Sequence, residues 1–162
     1  QLVFAGIDNI ILSVGYLGGL IETVIGNGDK YGIKIIYSYE DNPLGTVGGL
    51  SLVKNLLENQ FIVMNGDILH DLDFKHLFND HIISKTDVTI TTYIQQHKVR
   101  LGVLKLKGKR IIKYIEKPTN EYLVSIGMYI LNKKIVDFYV KKKEYLDFPT
   151  LINILIELLI YY

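Results

Sequence analysis

The chain has 162 residues, 49% of them hydrophobic, and a formal net charge of +1 at pH 7. This length is enough for one domain with a buried core. A net charge near zero does not indicate the basic surface that nucleic-acid binding needs. The sequence contains no cysteine, which excludes disulfides, thiolate metal sites and a thiol nucleophile. Since there is neither an apolar run long enough to cross a membrane nor a signal peptide, we expect a soluble cytoplasmic protein.

The first half of the chain alternates between predicted strands and helices. Apolar runs predict strands at residues 9–14, 33–37 and 61–64. Helical spacing predicts helices at residues 17–25, from 45 to about 57, and from 73 to about 84 with Asp73 as N-cap. The run at 61–64 is rich in β-branched and aromatic side chains, which predicts a strand buried on both faces, as in a parallel sheet.

The second half is richer in strands. Strands are predicted at residues 88–94, 102–106, 111–115 and 124–131, with a hairpin turn at 107–109. Helices are predicted at residues 132–140 and 149–159. Strand–helix alternation followed by a strand-rich half indicates an α/β fold with a mainly parallel, partly mixed sheet.

An acidic turn follows the strand at residues 61–64. Asn65, Gly66 and Asp67 stand where that strand gives way to a loop. Ligands of open α/β sheets bind outside the carboxyl ends of the strands, so a carboxylate after a glycine is well placed there to hold a divalent cation. The alternative is a simple turn in which Asp67 only caps the next segment, and the tripeptide alone does not decide between the two.

A glycine-rich stretch opens the helix predicted from residue 45. Gly45, Thr46 and Gly48 lie at a loop-to-helix junction, where backbone amides can approach a ligand and a helix N-terminus favours anionic or polar acceptor groups. The same glycines could equally serve only tight helix–sheet packing.

Adjacent opposite charges, Glu116 and Lys117, end another predicted strand, and Pro118 fixes the exit of the chain. Lys117 could bind a phosphate as a point charge, and Glu116 could reach hydroxyl groups. The alternative is a solvated ion pair at a strand end.

Two further glycines lie in predicted strands. Gly127, two residues after Ser125, could leave room for a sugar ring, or it could mark a β-bulge. Gly102 starts a strand and is a weaker signal.

In this order and spacing, these stretches resemble the sugar-1-phosphate nucleotidyltransferases, and the resemblance covers essentially the whole chain. The matching segments are LGTVGGL at residues 44–50, VMNGD at 63–67, GV at 102–103, IEKP at 115–118 and GMY at 127–129. LDFP at 146–149, followed by an apolar helix, looks like the segment that precedes the family's C-terminal metal motif. The glycine stretch and IEKP look closest to mannose-1-phosphate guanylyltransferase-like members, including those acting on hexosamine or heptose phosphates.

The resemblance implies a Rossmann-like α/β fold with a mixed, mainly parallel sheet flanked by helices. It also implies a reaction, in which a phosphate oxygen of a sugar 1-phosphate attacks the α-phosphorus of a nucleoside triphosphate and pyrophosphate leaves. Asp67 would hold Mg²⁺ against the α-phosphate, and Lys117 would bind the phosphate of the sugar. The other substrate-binding residues would be Gly45, Thr46 and Gly48 at the base and ribose, Asn65 and Gly66 beside Asp67, and Gly102, Glu116, Ser125 and Gly127 at the sugar.

Some parts of the family pattern do not occur in these 162 residues. The glycine-rich loop that holds the triphosphate and the second metal carboxylate are both absent, and Leu101 and Ser125 replace the usual aromatic and Asn. We therefore expect residues 1–162 to be a single partial nucleotidyltransferase domain, incomplete at both ends and inactive alone. An unpaired sheet edge left by a missing first strand would allow homo-oligomers.

Two other interpretations remain open. The domain could be a non-catalytic relative that binds a nucleotide sugar or serves as a regulatory or assembly subunit. It could also be an unrelated α/β phosphotransfer domain with Asp67 as nucleophile, although the chain offers no accompanying set of phosphate ligands. The presence of both the Asp67 turn and the Glu116–Lys117 pair favours the enzyme.

Overall fold

The computed structural model describes residues 2–160, with side chains up to residue 158. The strands are β1 (Asn9–Val14), β2 (Lys34–Tyr39), β3 (Gln60–Met64), β4 (Val88–Lys98), β5 (Val103–Lys107), β6 (Arg110–Ile115) and β7 (Thr119–Asn132). The helices are α1 (Gly18–Ile25), α2 (Gly45–Gly48), α3 (Leu50–Val53), α4 (Phe74–Ser84), α5 (Lys133–Tyr139) and α6 (Phe148–Ile160). Single 3₁₀ turns lie at Asp29–Tyr31 and Lys54–Leu56.

Side-chain caps begin two of the helices. The carboxylate of Asp73 accepts hydrogen bonds from the backbone amides of Lys75 and His76 at 2.9 and 3.2 Å, which confirms its predicted role as the N-cap of α4. Asp147 caps α6 by accepting from the amide of Thr150 at 2.9 Å. Hydrogen bonding from Thr150 holds the pKa of the Asp147 carboxyl below its ordinary value.

The predicted helix from residue 45 to about 57 is divided into α2, α3 and a 3₁₀ turn. The break falls at Gly48 and Gly49, since glycine is a poor helix former. In addition, the amides of Val47 and Gly48 both donate to the carbonyl of Leu146, at 3.0 and 2.9 Å. Tertiary contacts with the loop before α6 therefore decide where this helix ends.

The predicted mixed α/β fold is confirmed, but the balance of strand directions differs from the prediction. Among the described strands, β1 and β2 pair in parallel, whereas β7 pairs antiparallel with both β3 and β4, and β5 and β6 form an antiparallel hairpin. The β5–β6 hairpin turns the chain back, so β7 returns against β4. Strand β3 is half-buried at all five positions. A short apolar run does not by itself distinguish this environment from a strand buried in a parallel sheet.

One apolar core joins β7 to the surrounding helices. Its fully buried members come from α2, β7, α5 and α6: Val47, Leu131, Val136 and Leu151. At its edge the rings of Tyr129 and Phe148 stack with centroids 3.5 Å apart and planes inclined by 7°. This stack ties β7 to the first residue of α6.

Every described strand except β7 pairs on one side only, so six strand edges have no partner within residues 2–160. Among them are the outer edges of β1, which pairs with β2, and of β3, which pairs with β7. An open edge offers unpaired backbone groups to another strand. Within the same described range, no helix combines the length and apolar character needed to cross a bilayer.

A buried histidine anchors a polar network at the amino end of β3. His81 is fully buried; its Nδ1 lies 2.7 Å from Thr89 Oγ1 and its Nε2 lies 3.3 Å from Asn132 Oδ1. Asn132 donates to Asp87 at 2.9 Å, and Lys134 lies 2.7 Å from the same carboxylate. Partial burial works to raise the pKa of Asp87, but the hydrogen bonds from Lys134 and Asn132 prevail and hold it below its ordinary value.

Candidate functional site

The turn formed by residues 65–67, the Asp67 turn, is fixed against β7 by its first residue. The amide of Asn65 donates to the carbonyl of Gly127 at 3.0 Å. The side-chain Nδ2 of Asn65 lies only 2.6 Å from where a β-carbon at Gly127 would stand, and Gly127 has a φ of +80°. Both the backbone conformation and the close approach therefore require glycine at this position.

Gly127 belongs to a bulge in β7. Ile90 pairs with Tyr129 and Thr92 with Ser125, so residues 126–128, the β7 bulge, stand opposite Thr91 alone. Thr91 is 5% exposed, and its hydroxyl donates to the carbonyl of Met128 at 2.8 Å. Bulges bend a strand and change the direction of its side chains, and they are frequent beside active sites.

The sequence left open whether Gly127 makes room for a sugar or marks a bulge, and the structure shows the bulge. The space beside Gly127 is occupied by Asn65. The hydroxyl of Ser125 is also engaged inside β7, because it accepts from the amide of Gly127 at 3.2 Å and lies 3.3 Å from the hydroxyl of Tyr129. The direct contacts of these two residues are thus with protein.

Among the described residues, the carboxylate of Asp67 has no partner. The residue is exposed directly after β3, and its side chain makes no hydrogen bond or ion pair with any other part of residues 2–160. No group of three or more histidine, aspartate or glutamate side chains in the described chain could hold a metal. A single free carboxylate fits Mg²⁺, which commonly binds through one or two carboxylates while waters and phosphate oxygens complete its shell.

A depression of about 340 Å³ lies beside the Asp67 turn. Its lining is mostly apolar and comprises Leu2, Val3, Tyr31, Ile33, Met64, Ile68, Leu69, His70 and Phe74. The depression provides a concave surface next to the carboxylate, but its lining has few charged groups that could bind a phosphate.

The glycine turn, residues 44–49, packs against the segment before α6. A β-carbon at Gly45 would stand 2.5 Å from the carbonyl oxygen of Leu146, and one at Gly48 would collide with the carbonyl oxygen of Glu144. The hydroxyl of Thr46 accepts a hydrogen bond from the amide of Phe148 at 3.0 Å. The packing interpretation thus accounts for both glycines, and the amides of the turn that donate to Leu146 are already engaged.

Glu40 holds the start of the glycine turn and was missed by the sequence analysis. One carboxylate oxygen accepts from the amide of Leu44 at 2.9 Å, and the other accepts from the hydroxyl of Ser13 at 2.7 Å. The sequence placed Glu40 in the loop after the strand predicted at residues 33–37, whereas β2 continues to Tyr39 and brings Glu40 to the end of the strand.

A second group of candidate residues meets at the end of β6. This group, the Tyr114 cluster, consists of Gly102, Tyr114, Glu116 and Lys117. Within it, Tyr114 contacts both Gly102 and Glu116. The ring and hydroxyl of Tyr114 occupy the space that a β-carbon at Gly102 would need. The same hydroxyl donates to Glu116 Oε2 at 2.9 Å, and Glu116 Oε1 lies 3.6 Å from the ammonium of Lys117.

The structure does not bring the two groups of candidate residues into contact. Asn65, Gly66 and Asp67 lie beside the β7 bulge, whereas the Tyr114 cluster lies beyond the paired stretch between Ser125 and Thr119. Six residues of extended strand span about 20 Å. Across the described chain, no hydrogen bond or ion pair links Lys117 to the Asp67 turn.

The chain belongs to the nucleotidyl transferase family, whose family model matches residues 1–158. It is 37% identical over 134 residues to D-glycero-alpha-D-manno-heptose 1-phosphate guanylyltransferase of Aneurinibacillus thermoaerophilus, covering 82% of this chain and 58% of that protein. It is 34% identical over 146 residues to mannose-1-phosphate guanyltransferase of Yarrowia lipolytica, covering 85% of this chain and 40% of that protein. The chain therefore spans about half the length of these curated relatives.

A solved structure supports the same relationship. HddC from Yersinia pseudotuberculosis matches with a TM-score of 0.66 and 29% sequence identity, covering 91% of this chain and 67% of that chain. A crystal structure of HddC complexed with GMP-PN matches equally well. The resemblance that the sequence motifs indicated is thereby confirmed.

Proposed function

We propose that this chain forms part of an enzyme that makes a nucleotide-diphosphate sugar from a nucleoside triphosphate and a sugar 1-phosphate. The observation that carries the proposal is the free Asp67 carboxylate, held at the carboxyl end of β3 by the contact between Asn65 and Gly127. A protein of this family that had lost catalysis would have no need to keep an unpaired carboxylate there.

In the proposed reaction, a phosphate oxygen of the sugar 1-phosphate forms a bond to the α-phosphorus. The bond from that phosphorus to the bridging oxygen breaks, and pyrophosphate leaves. Bound Mg²⁺ would neutralise the charge that develops on the phosphates, and Asp67 is the residue that would hold it. The protein contributes mainly by positioning and neutralising charged groups.

Lys117 and Glu116 supply the sugar-phosphate side of the proposed site. The Lys117 ammonium would bind the phosphate, and the Glu116 carboxylate would accept from a sugar hydroxyl. For one substrate to touch both Lys117 and Asp67, the β4–β7 ribbon must curl towards the Asp67 turn. A bulge increases local bending, and the β7 bulge lies where this ribbon meets the Asp67 turn.

The relatives indicate which substrates to test first. Two of them are named for guanylyl transfer to mannose 1-phosphate or to a heptose 1-phosphate, so GTP and mannose 1-phosphate are the first pair. Consumption of a nucleoside triphosphate supports activity in the cytoplasm. Nucleic acid and membranes have no role in the proposed reaction.

The test is pyrophosphate release by the complete protein, incubated with Mg²⁺, GTP and mannose 1-phosphate. Asp67→Asn should lower turnover by at least about 10²-fold. The substitution removes the negative charge that would hold Mg²⁺, and Mg²⁺ would stabilise the charge that develops in the transition state. Asp71→Asn is the matched control, since Asp71 is also exposed and its side chain has no partner within residues 2–160. Near-normal synthesis by the Asp67 variant would overturn the assignment.

Lys117→Ala provides the second arm of the test. It should raise the KM for mannose 1-phosphate much more than the KM for GTP. Lys113→Ala, which removes an exposed charge from β6, should change neither constant. Equal effects on both substrates, or none, would return Lys117 to the role of an exposed ion-pair partner.

A further inference from the structure

Tyr114 contacts two residues of the sugar-phosphate side, Gly102 and Glu116, although the sequence assigned it no role. Its ring lies over Gly102, where any side chain would collide with it. Its hydroxyl donates to one oxygen of Glu116 at 2.9 Å, and the other oxygen of that carboxylate faces Lys117 at 3.6 Å. The position of Glu116 is thus set by one residue on each side.

We propose that Tyr114 is a positioning residue, which fixes the Glu116 carboxylate towards a sugar hydroxyl while Lys117 moves to the phosphate. The inference rests on the proposed function of this cluster and adds a residue and an exchange of partners to it.

The two contacts of Glu116 differ in their ability to persist. At 3.6 Å the contact with Lys117 is longer than a hydrogen bond. Both charged side chains are more than half exposed, at 59% and 57%, and ion pairs of this kind contribute little. A phosphate offers Lys117 several acceptor oxygens and more negative charge, so Lys117 can leave Glu116 at small cost.

The contact with Tyr114 is maintained during that exchange. The hydroxyl of Tyr114 donates to a charged acceptor at ordinary hydrogen-bond length, and its ring rests on the backbone of Gly102. When Lys117 moves away, Glu116 Oε1 becomes free while Oε2 is still held. A sugar hydroxyl can then donate to Oε1, which makes recognition of the sugar depend on Tyr114 while recognition of the phosphate depends on Lys117.

Tyr114→Phe tests this division because it removes the hydroxyl but keeps the ring over Gly102. We expect the affinity for mannose 1-phosphate, measured by NMR titration of the labelled protein, to fall about three- to tenfold. The affinity for inorganic phosphate should change less than twofold. Tyr122→Phe is the matched control, since Tyr122 is an exposed strand tyrosine whose hydroxyl makes no hydrogen bond within the described chain.

A second measurement follows Glu116 itself. Three-bond NMR couplings report the rotamers of its side chain. They should show one dominant rotamer in the wild type and averaging over several rotamers in Tyr114→Phe. Gly102→Ala should produce the same averaging by displacing the ring. In a Glu116→Gln background, Tyr114→Phe should have much less effect on the sugar phosphate.

Each outcome decides a separate point. Equal weakening of both ligands by Tyr114→Phe, or no weakening of either, would overturn the positioning role. If the wild type binds neither ligand, the proposed function fails, and the Glu116 couplings then test separately whether Tyr114 orders the carboxylate. Unchanged couplings in Tyr114→Phe would overturn that ordering as well.

Discussion

The side-chain amide of Asn65 fills the space that a β-carbon at Gly127 would need, and the backbone amide of the same residue donates to the Gly127 carbonyl. This contact is what joins the Asp67 turn to the β7 bulge. Residues from distant parts of the sequence are held in register by a position that accepts only glycine. Substitutions around it should therefore reveal how much the turn depends on the bulge.

Gly127→Ala should lower the free energy of unfolding by more than about 1 kcal/mol. A left-handed backbone costs a residue with a β-carbon at least that much, and Asn65 must also move. Urea unfolding of the variant measures the loss. Gly66→Ala is the control, because nothing lies within 4 Å of a β-carbon there and its φ is not positive; equal losses in the two variants would contradict the argument.

Thr91→Val should destabilise the protein by about 1–3 kcal/mol, since the shape is kept while the buried carbonyl of Met128 loses its donor. The change is measured by the midpoint of urea unfolding. Thr92→Val, at the neighbouring exposed position of β4, should change the free energy of unfolding by less than about 0.5 kcal/mol. A neutral Thr91→Val would mean that the bulge does not need the hydroxyl.

His81→Ala should lower the free energy of unfolding by about 2–4 kcal/mol, because it opens a cavity and removes one hydrogen-bond partner each from Thr89 and Asn132. His76→Ala serves as control, as His76 lies on the same helix with its side chain 73% exposed and, within residues 2–160, paired only with Asp80. Thermal or urea unfolding compares the two variants. Similar small losses would show that the network around His81 contributes little.

The ion pair between Lys134 and Asp87 should make stability depend on pH in the acid range. Because the folded protein lowers the pKa of Asp87, the stabilisation is fully present above the ordinary carboxyl pKa of about 3.9. It is lost as the pH falls below that value, through the lower pKa of the folded state. Lys134→Ala should thus destabilise the protein at pH 7 and have little effect near pH 2.

Urea unfolding at the two pH values measures this difference. Lys142→Ala is the control, since the Lys142 side chain has no ion-pair partner in the described range. If Lys134→Ala destabilises the protein equally at both pH values, the effect comes from packing of the lysine stem, and the predicted pH dependence is wrong.

The sequence predicted the positions of most elements, because apolar periodicity marks where a strand or helix meets the core. Strand β1 begins and ends where its apolar run does. The lengths of β4 and β7 were underestimated, since Gln96 and Glu121 continue the ladder as an exposed polar pair that carries no apolar pattern. Such pairing depends on the partner strand, which a single segment does not reveal.

The candidate site was also predictable in part. The turn at Asp67 and the interruption at Gly127 are visible in the sequence as a polar turn and a glycine within a strand. What fills the space beside a glycine is not visible, because Asn65 for Gly127 and Leu146 for Gly45 come from other parts of the chain. Tyr114 was overlooked because its importance lies in touching Gly102 and Glu116 at once.

The division of the described strands into three separate sheets has a consequence for cooperativity. Strands that share no ladder can open independently, and two-stranded units are marginal when they stand alone. Amide hydrogens at the buried residues 128–131 of β7 should therefore exchange slowest, while those of the β5–β6 hairpin exchange through frequent local opening. Lys117 follows shortly after this hairpin, so the sugar-phosphate side of the proposed site would lie beside a part of the chain that opens readily.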